Sequence, residues 1–227
     1  MSLRHARSFL WLAVLILSTA LLPMTSQAET VYSDLGSSPV YDANHGYVLS
    51  TPTSTEGITQ YVAMPFTPAA DYDLTQIDLA IEWVSGVNSF TLDLVTADPS
   101  NHGFPTGSVL DSWTVVNMPT FNTCCSLDTV TYAGAPILLQ ENVTYWLRVE
   151  VSDDTYAVWD LNNTGATHPF AAYNGITWKN DSGSYGDGAF DVLGNPPALP
   201  EPSAAALLGT ALTALLGFFR IGLRKAN

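Results

Sequence analysis

Two cysteines, Cys124 and Cys125, stand side by side in this 227-residue chain. Disulfides persist in exported proteins, yet neighbouring Cα atoms lie about 3.8 Å apart, closer than bridged cysteines usually are. A bridge within the pair, free thiols and pairing between molecules all remain open. The pair alone supplies neither a zinc site nor a Cys-x-x-Cys redox motif. His45, His102 and His168 are dispersed, the first two in Asn-His-Gly turns. The chain lacks His-Glu-x-x-His, Gly-x-Ser-x-Gly and a phosphate-binding glycine loop. A hydrolytic triad or glycosidase carboxylate pair is set by spatial geometry, and 21 acids offer too many pairs to choose among. No residue is singled out as catalytic, and the protein is expected not to be an enzyme.

Carboxylates suggest a different chemistry, because Ca²⁺ takes six to eight hard oxygen ligands. Asp71 with Asp73, Asp153 with Asp154, and the segment holding Asp181, Asp187 and Asp191 are candidate calcium loops. None follows the EF-hand spacing, and a solvated acidic surface would read the same way. Calcium is the one cofactor suggested, with none required. Trp146, Arg148 and Glu150 form the third candidate. They share the polar face of an alternating segment, so Trp146 is either covered by a loop or presents an aromatic surface. In the second case the ring would stack on a sugar while the charges bond its hydroxyls.

These side chains need strands to hold them. In residues 143–151, Val143, Tyr145, Leu147, Val149 and Val151 alternate with Thr144, Trp146, Arg148 and Glu150. Ile77, Leu79, Ile81 and Trp83 alternate with Gln76, Asp78, Ala80 and Glu82, and Phe90, Leu92 and Leu94 with Thr91 and Asp93. Period-2 alternation marks strands with one buried and one solvated face. Further strands are expected over 46–50, 59–67, 108–116, 129–132, 137–140, 156–160 and 189–193. Turn-rich stretches such as 98–103 and 180–188 separate them. Many short strands between Gly, Pro, Asn and Asp clusters predict an all-β fold, an antiparallel β-sandwich or jelly roll.

The seven Lys and Arg residues against 21 Asp and Glu give a net charge of −14. Only Arg148 and Lys179 lie in the span 29–201 that holds every acid, which puts that span at −19. Such a surface excludes nucleic acid as a partner, since phosphate binding needs clustered cations. The other cations cap the two ends. Arg4 and Arg7 precede an apolar run over 9–22, and Ser26-Gln27-Ala28 supplies the small residues of a cleavage site. This reads as a secretory signal peptide over 1–28, cut between Ala28 and Glu29 by signal peptidase after passage through the Sec translocon. The acidic β-domain then spans 29–195.

The region 196–227 is laid out differently, with Pro200-Glu201-Pro202 inside the segment 199–202, an apolar helix over 203–223 and a basic tail over 224–227. The seventeen residues 203–219 rise about 26 Å as a helix, enough for a bilayer core. Arg220, Arg224 and Lys225 then mark the cytoplasmic side, leaving the body outside the cytoplasmic membrane. These parts in this order resemble the PEP-CTERM sorting domain of Gram-negative bacteria, also known as the ice-binding protein C-terminal domain. The resemblance implies recognition and cutting by an exosortase-like enzyme in cells that make exopolysaccharide. It implies display at the cell surface or in the extracellular matrix after a transient stay in the membrane. A plain tail anchor would share the apolar span and the basic end; the Pro-Glu-Pro signature separates the two.

Within the body, Ser89-Phe90-Thr91-Leu92-Asp93-Leu94, the residues Gly103-Phe104-Pro105-Thr106-Gly107-Ser108-Val109-Leu110, Tyr145-Trp146-Leu147, Trp159, Trp178 and Ala189-Phe190 resemble "choice-of-anchor" domains. These are taken as extracellular β-sandwiches and carry no established activity. The expected function is therefore a structural or adhesive role linked to exopolysaccharide. A calcium-assisted carbohydrate-binding module is the alternative, and a glycan-cleaving enzyme comes third.

Overall fold

The computed structural model describes residues 28–38, 40–181 and 186–198. The leader, the Pro-Glu-Pro motif with the apolar span, and the basic tail lie outside the described residues, apart from Ala28. Among the described residues no helix is long and apolar enough to cross a membrane.

Among the described residues fourteen strands, numbered in chain order, form three antiparallel sheets. The first runs β1 (Glu29–Ser33), β14 (Phe190–Asn195), β4 (Tyr72–Leu79) and β8 (Asp128–Thr131), with β9 (Leu138–Leu139) also against β4. The second has six strands, in the order β13 (Trp178–Asp181), β12 (Phe170–Tyr173), β3 (Tyr61–Phe66), β10 (Tyr145–Val151), β6 (Ser89–Thr96) and β7 (Val109–Val116). The third pairs β2 (Asp42–Ser50), β11 (Tyr156–Leu161) and β5 (Ile81–Ser85).

All three sheets contribute to one core, the arrangement expected of a β-sandwich. Tyr145, Leu147 and Val149 of β10 turn inward against Val62, Met64 and Phe66 of β3, Ile77 and Leu79 of β4, and Trp159 of β11. Burial of each such side chain contributes about 1.5–3 kcal/mol. Trp159 is fully buried, and its indole N–H donates to the Ala189 carbonyl at 3.0 Å. Gly188 makes room for that ring, since a Cβ there would come within 2.8 Å of it.

The alternation over 76–83 is not one strand. It divides at Ala80, so that β4 joins the five-stranded sheet and β5 the three-stranded one. Ala80 is the corner: its N–H donates to the Ala189 carbonyl at 3.1 Å, and its carbonyl accepts from the Asp160 N–H at 2.8 Å. Both halves face the same core, so the period-2 signal runs through the break without interruption. Three strands escape the pattern altogether. β1 and β13 have five and four residues with too few apolar positions to alternate visibly, and β12 is a four-residue apolar run with no polar position to alternate with.

Candidate functional site

The outer face of the six-stranded sheet gathers the polar and aromatic residues singled out on residues 143–151. Register fixes their neighbours. Trp146, Arg148 and Glu150 lie opposite Val95, Asp93 and Thr91 of β6, and Trp146 and Arg148 lie opposite Pro65 and Ala63 of β3.

Trp146 is not a stacking platform. It is only 6% exposed and packs with Ala63, Val95, Ala171, Phe104 and Trp178 in a small second core. The loop 97–107 lies over it, and its indole N–H donates to the Gly103 carbonyl at 3.0 Å. Covering the ring removes a large apolar area from water on a face otherwise turned outward. The loop is tied internally through Asp98, whose carboxylate accepts from the Ser100 hydroxyl at 2.6 Å and N–H at 2.9 Å, and from the Thr106 hydroxyl at 3.0 Å. These bonds, the Ser100 hydroxyl first, hold the Asp98 carboxyl below the usual range.

Arg148 is committed to structure as well. Its guanidinium contacts the buried Asp93 carboxylate at 2.6 Å, the Pro105 carbonyl at 3.3 Å and Glu150 at 3.3 Å. It neutralises Asp93 and clamps the loop in the same geometry. Glu150 keeps 41% of its side chain exposed. Burial, and secondarily Asp93, raises its pKa, with Arg148 opposing.

Aromatic surface appears instead one end of the sheet away. Trp178 of β13 lies opposite Tyr173 of β12, which lies opposite Tyr61 of β3. Their rings follow one another at 5.5 and 5.7 Å, and all three are half-buried. Glu150 is the next group along, close enough to help raise the Tyr61 pKa, though burial is the larger cause. Tyr173 and Lys179 also line a groove of about 430 Å³ with Tyr47, Thr59 and Asn174. The row is a strip of aromatic rings, hydroxyls and a carboxylate, the mixture that holds polyhydroxylated ligands, while Lys179, next to Trp178 in the strand, belongs to the opposite face. Trp178 was visible in the sequence, but its row depends on two short strands whose pairing the pattern does not disclose.

A second groove, of about 380 Å³, is lined by Tyr32, Phe66, His102, Trp146 and His168 among others. Asp187 holds His168 in place, with its carboxylate 2.5 Å from Nδ1 and accepting the His168 backbone N–H at 2.6 Å. Half of the His168 side chain, 52%, stays exposed. The hydroxyls of this groove come from Tyr32, Thr67 and Thr144.

The three acids of the suggested calcium loop are spread apart. Asp187 is engaged by His168, Asp191 lies opposite Asp78 in the five-stranded sheet, and Asp181 lies opposite Phe170 in the six-stranded one. Among the described residues no three His, Cys, Asp or Glu side chains stand where they could hold one metal ion. Cys124 and Cys125 are paired with each other.

Burial dominates the electrostatics elsewhere. Asp34 is pushed up to about 7 by burial, with Asp187 and Asp191 adding to it against a hydrogen bond from Phe190. Burial also lifts Asp191 to about 6, Asp128 to about 7 and Asp160 to about 9. Glu82 and Asp160 sit at outward positions of their strands, where alternation gives no sign of burial, yet both are fully buried. Compared with protein-family models, curated proteins and solved structures, the chain matches none.

Proposed function

We propose that this is an exported bacterial surface or matrix protein whose acidic β-sandwich, jelly-roll-like in its strand density, associates with exopolysaccharide and performs no catalysis. In this reading the Sec translocon and signal peptidase release the body at Glu29. The apolar span 203–223 holds it briefly in the cytoplasmic membrane, and an exosortase-like enzyme acts at Pro200-Glu201-Pro202. The observation that carries the adhesive part is the row Trp178, Tyr173 and Tyr61 running into Glu150 on one sheet face. Rings on adjacent strands suit a repeating chain of sugars, and the tyrosine hydroxyls with the flanking Glu150 carboxylate suit its hydroxyls. The strong negative charge of the body argues for a neutral or cation-bridged polymer rather than an acidic one.

Pull-down and affinity measurement on the host's own exopolysaccharide test this. Tyr173→Ala and Trp178→Ala should each weaken binding about fivefold or more, while Trp146→Phe, under its loop, should leave it unchanged. Equal binding by all three variants and the wild type would remove the aromatic row from the proposal. Calcium-assisted carbohydrate binding is the second reading, favoured by buried carboxylates that lack partners.

A further inference from the structure

The outer face of the three-stranded sheet should be solvated by its sequence pattern, yet it is sealed. Tyr41, Ala43, Ala80 and Ala189 form a small core there, with Leu35, Val40, Cys125 and Leu127 packed against it. Beneath this cover lie acids. Asp160 of β11 and Glu82 of β5 are both 0% exposed. Glu82 lies opposite Val158, two residues from Asp160, which makes the two acids diagonal neighbours on one face. Asp128 of β8 is buried close by and feels the Glu82 charge.

Glu82 is well bonded. One oxygen is 3.1 Å from the Tyr41 hydroxyl, and the other accepts the Asn122 N–H at 2.5 Å. The Tyr41 hydroxyl in turn sits 3.0 Å from the Ser126 carbonyl and accepts the Ser126 N–H at 3.1 Å. Asp160 has nothing comparable: neither of its carboxylate oxygens has a hydrogen-bond partner, and Oδ2 of Asp128 is equally unmatched. Buried polar atoms in native proteins are nearly always satisfied, and those left over call for an absent water or ion. The only Lys and Arg side chains among the described residues are Arg148, taken by Asp93 and Glu150, and Lys179, which is exposed on the β12–β13 hairpin. Among the described residues no side-chain ammonium or guanidinium is there to neutralise the cluster.

We propose that Asp160 and Glu82 hold a divalent cation of the calcium type, with Asp128 reinforcing the negative field. The site takes two carboxylates rather than three, in keeping with the absence of any described three-residue metal group, and draws its remaining oxygens from neutral groups and water, as calcium sites commonly do. A pocket of about 300 Å³ adjoins it, lined by Tyr41, Asp42, Asn44, Asn122 and Asn162 among others. Tyr41 and Asn122 belong to both the pocket and the Glu82 network. A proton is the competing neutraliser, and burial favours protonated Asp160, pushing it up to about 9. A proton neutralises the carboxyl but leaves its other oxygen unmatched, whereas a cation satisfies both oxygens at once. The site is independent of whether the six-stranded sheet binds glycan.

The experiment compares thermal unfolding of the purified exported protein in EDTA, in CaCl₂, and in NaCl at matched ionic strength, together with calcium titration by calorimetry. One Ca²⁺ per chain should bind. Above its Kd, each tenfold rise in free Ca²⁺ should multiply the folded-to-unfolded ratio about tenfold. Asp160→Asn, which mimics the protonated carboxyl in shape, should abolish the calcium response, while Asp153→Asn, in an exposed acidic loop, should retain it. If protons alone neutralise the cluster, Asp160→Asn will match or exceed the wild type in EDTA, and Ca²⁺ will give the wild type no more than NaCl does. That result overturns the proposal, as does a calcium response that survives Asp160→Asn. Should Asp160→Asn fail to fold, the wild-type titration still decides: no stoichiometric binding means no site.

Discussion

Replacing Asp34 by Asn should change how stability depends on pH more than any other single substitution outside the Asp160 cluster. Asp34 follows β1 and is 3% exposed. Its Oδ1 accepts the Phe190 N–H at 2.7 Å, and its own N–H donates to the Phe190 carbonyl at 3.2 Å, so it extends the β1–β14 pairing. Oδ2 has no partner and lies in the field of Asp187 and Asp191. Burial, the largest cause, raises the carboxyl from 3.8 to about 7. Because the folded value is raised, the native state holds this proton more tightly than the unfolded chain does. The associated stability is fully present below 3.8 and is lost as pH rises to about 7. At about 1.4 kcal/mol per pH unit, that window is worth about 4 kcal/mol as an upper figure. Asn preserves the acceptor for Phe190 and places an uncharged amide N–H₂ where Oδ2 stood, in the field of the same two acids, and it does not titrate. Urea unfolding at about pH 4 and about pH 8 measures both proteins. The stability of Asp34→Asn relative to wild type should improve by a few kcal/mol between the two, with the other buried acids common to both and cancelling. Parallel pH profiles would refute the reasoning and mean that Asp34 is ionised in the folded protein without cost.

Arg148→Met should destabilise by about 3 kcal/mol, because it strands the buried Asp93 carboxylate; the double variant with Asp93→Leu should recover most of that loss in a chemical-denaturation cycle. Trp146→Phe should cost about 1 kcal/mol through the missing bond to Gly103, whereas Trp146→Ala should cost about 3–5 kcal/mol and expose the loop 97–107 to limited proteolysis.

Alternation in the sequence carries the fold a long way. Residues 143–151 disclose which side of β10 faces the core, and Leu147 and Val149 are indeed fully buried. The same pattern hides the corner at Ala80, because a chain that changes sheets while facing one core keeps its period. It also misreads faces that loops cover. Trp146, Glu82 and Asp160 occupy outward positions by parity, yet residues far away in sequence, 97–107 over the first and Leu35, Val40 and Tyr41 with 122–127 over the others, remove them from water. Parity is local, whereas cover is tertiary. For the same reason the acid cluster with the most unsatisfied chemistry was not among the Asp-rich loops that stood out in sequence, and the aromatic strip came together from strands too short to alternate.

Export and sorting are central to the proposed function. Intact-mass and terminal-peptide mass spectrometry of the protein recovered from its host's surface or matrix tests that directly. The account predicts an N-terminus at Glu29 and a C-terminus at or near Pro200-Glu201-Pro202, with the apolar span and Arg220, Arg224 and Lys225 gone. Protein recovered from the cytoplasm with Met1 and Asn227 both in place would contradict it.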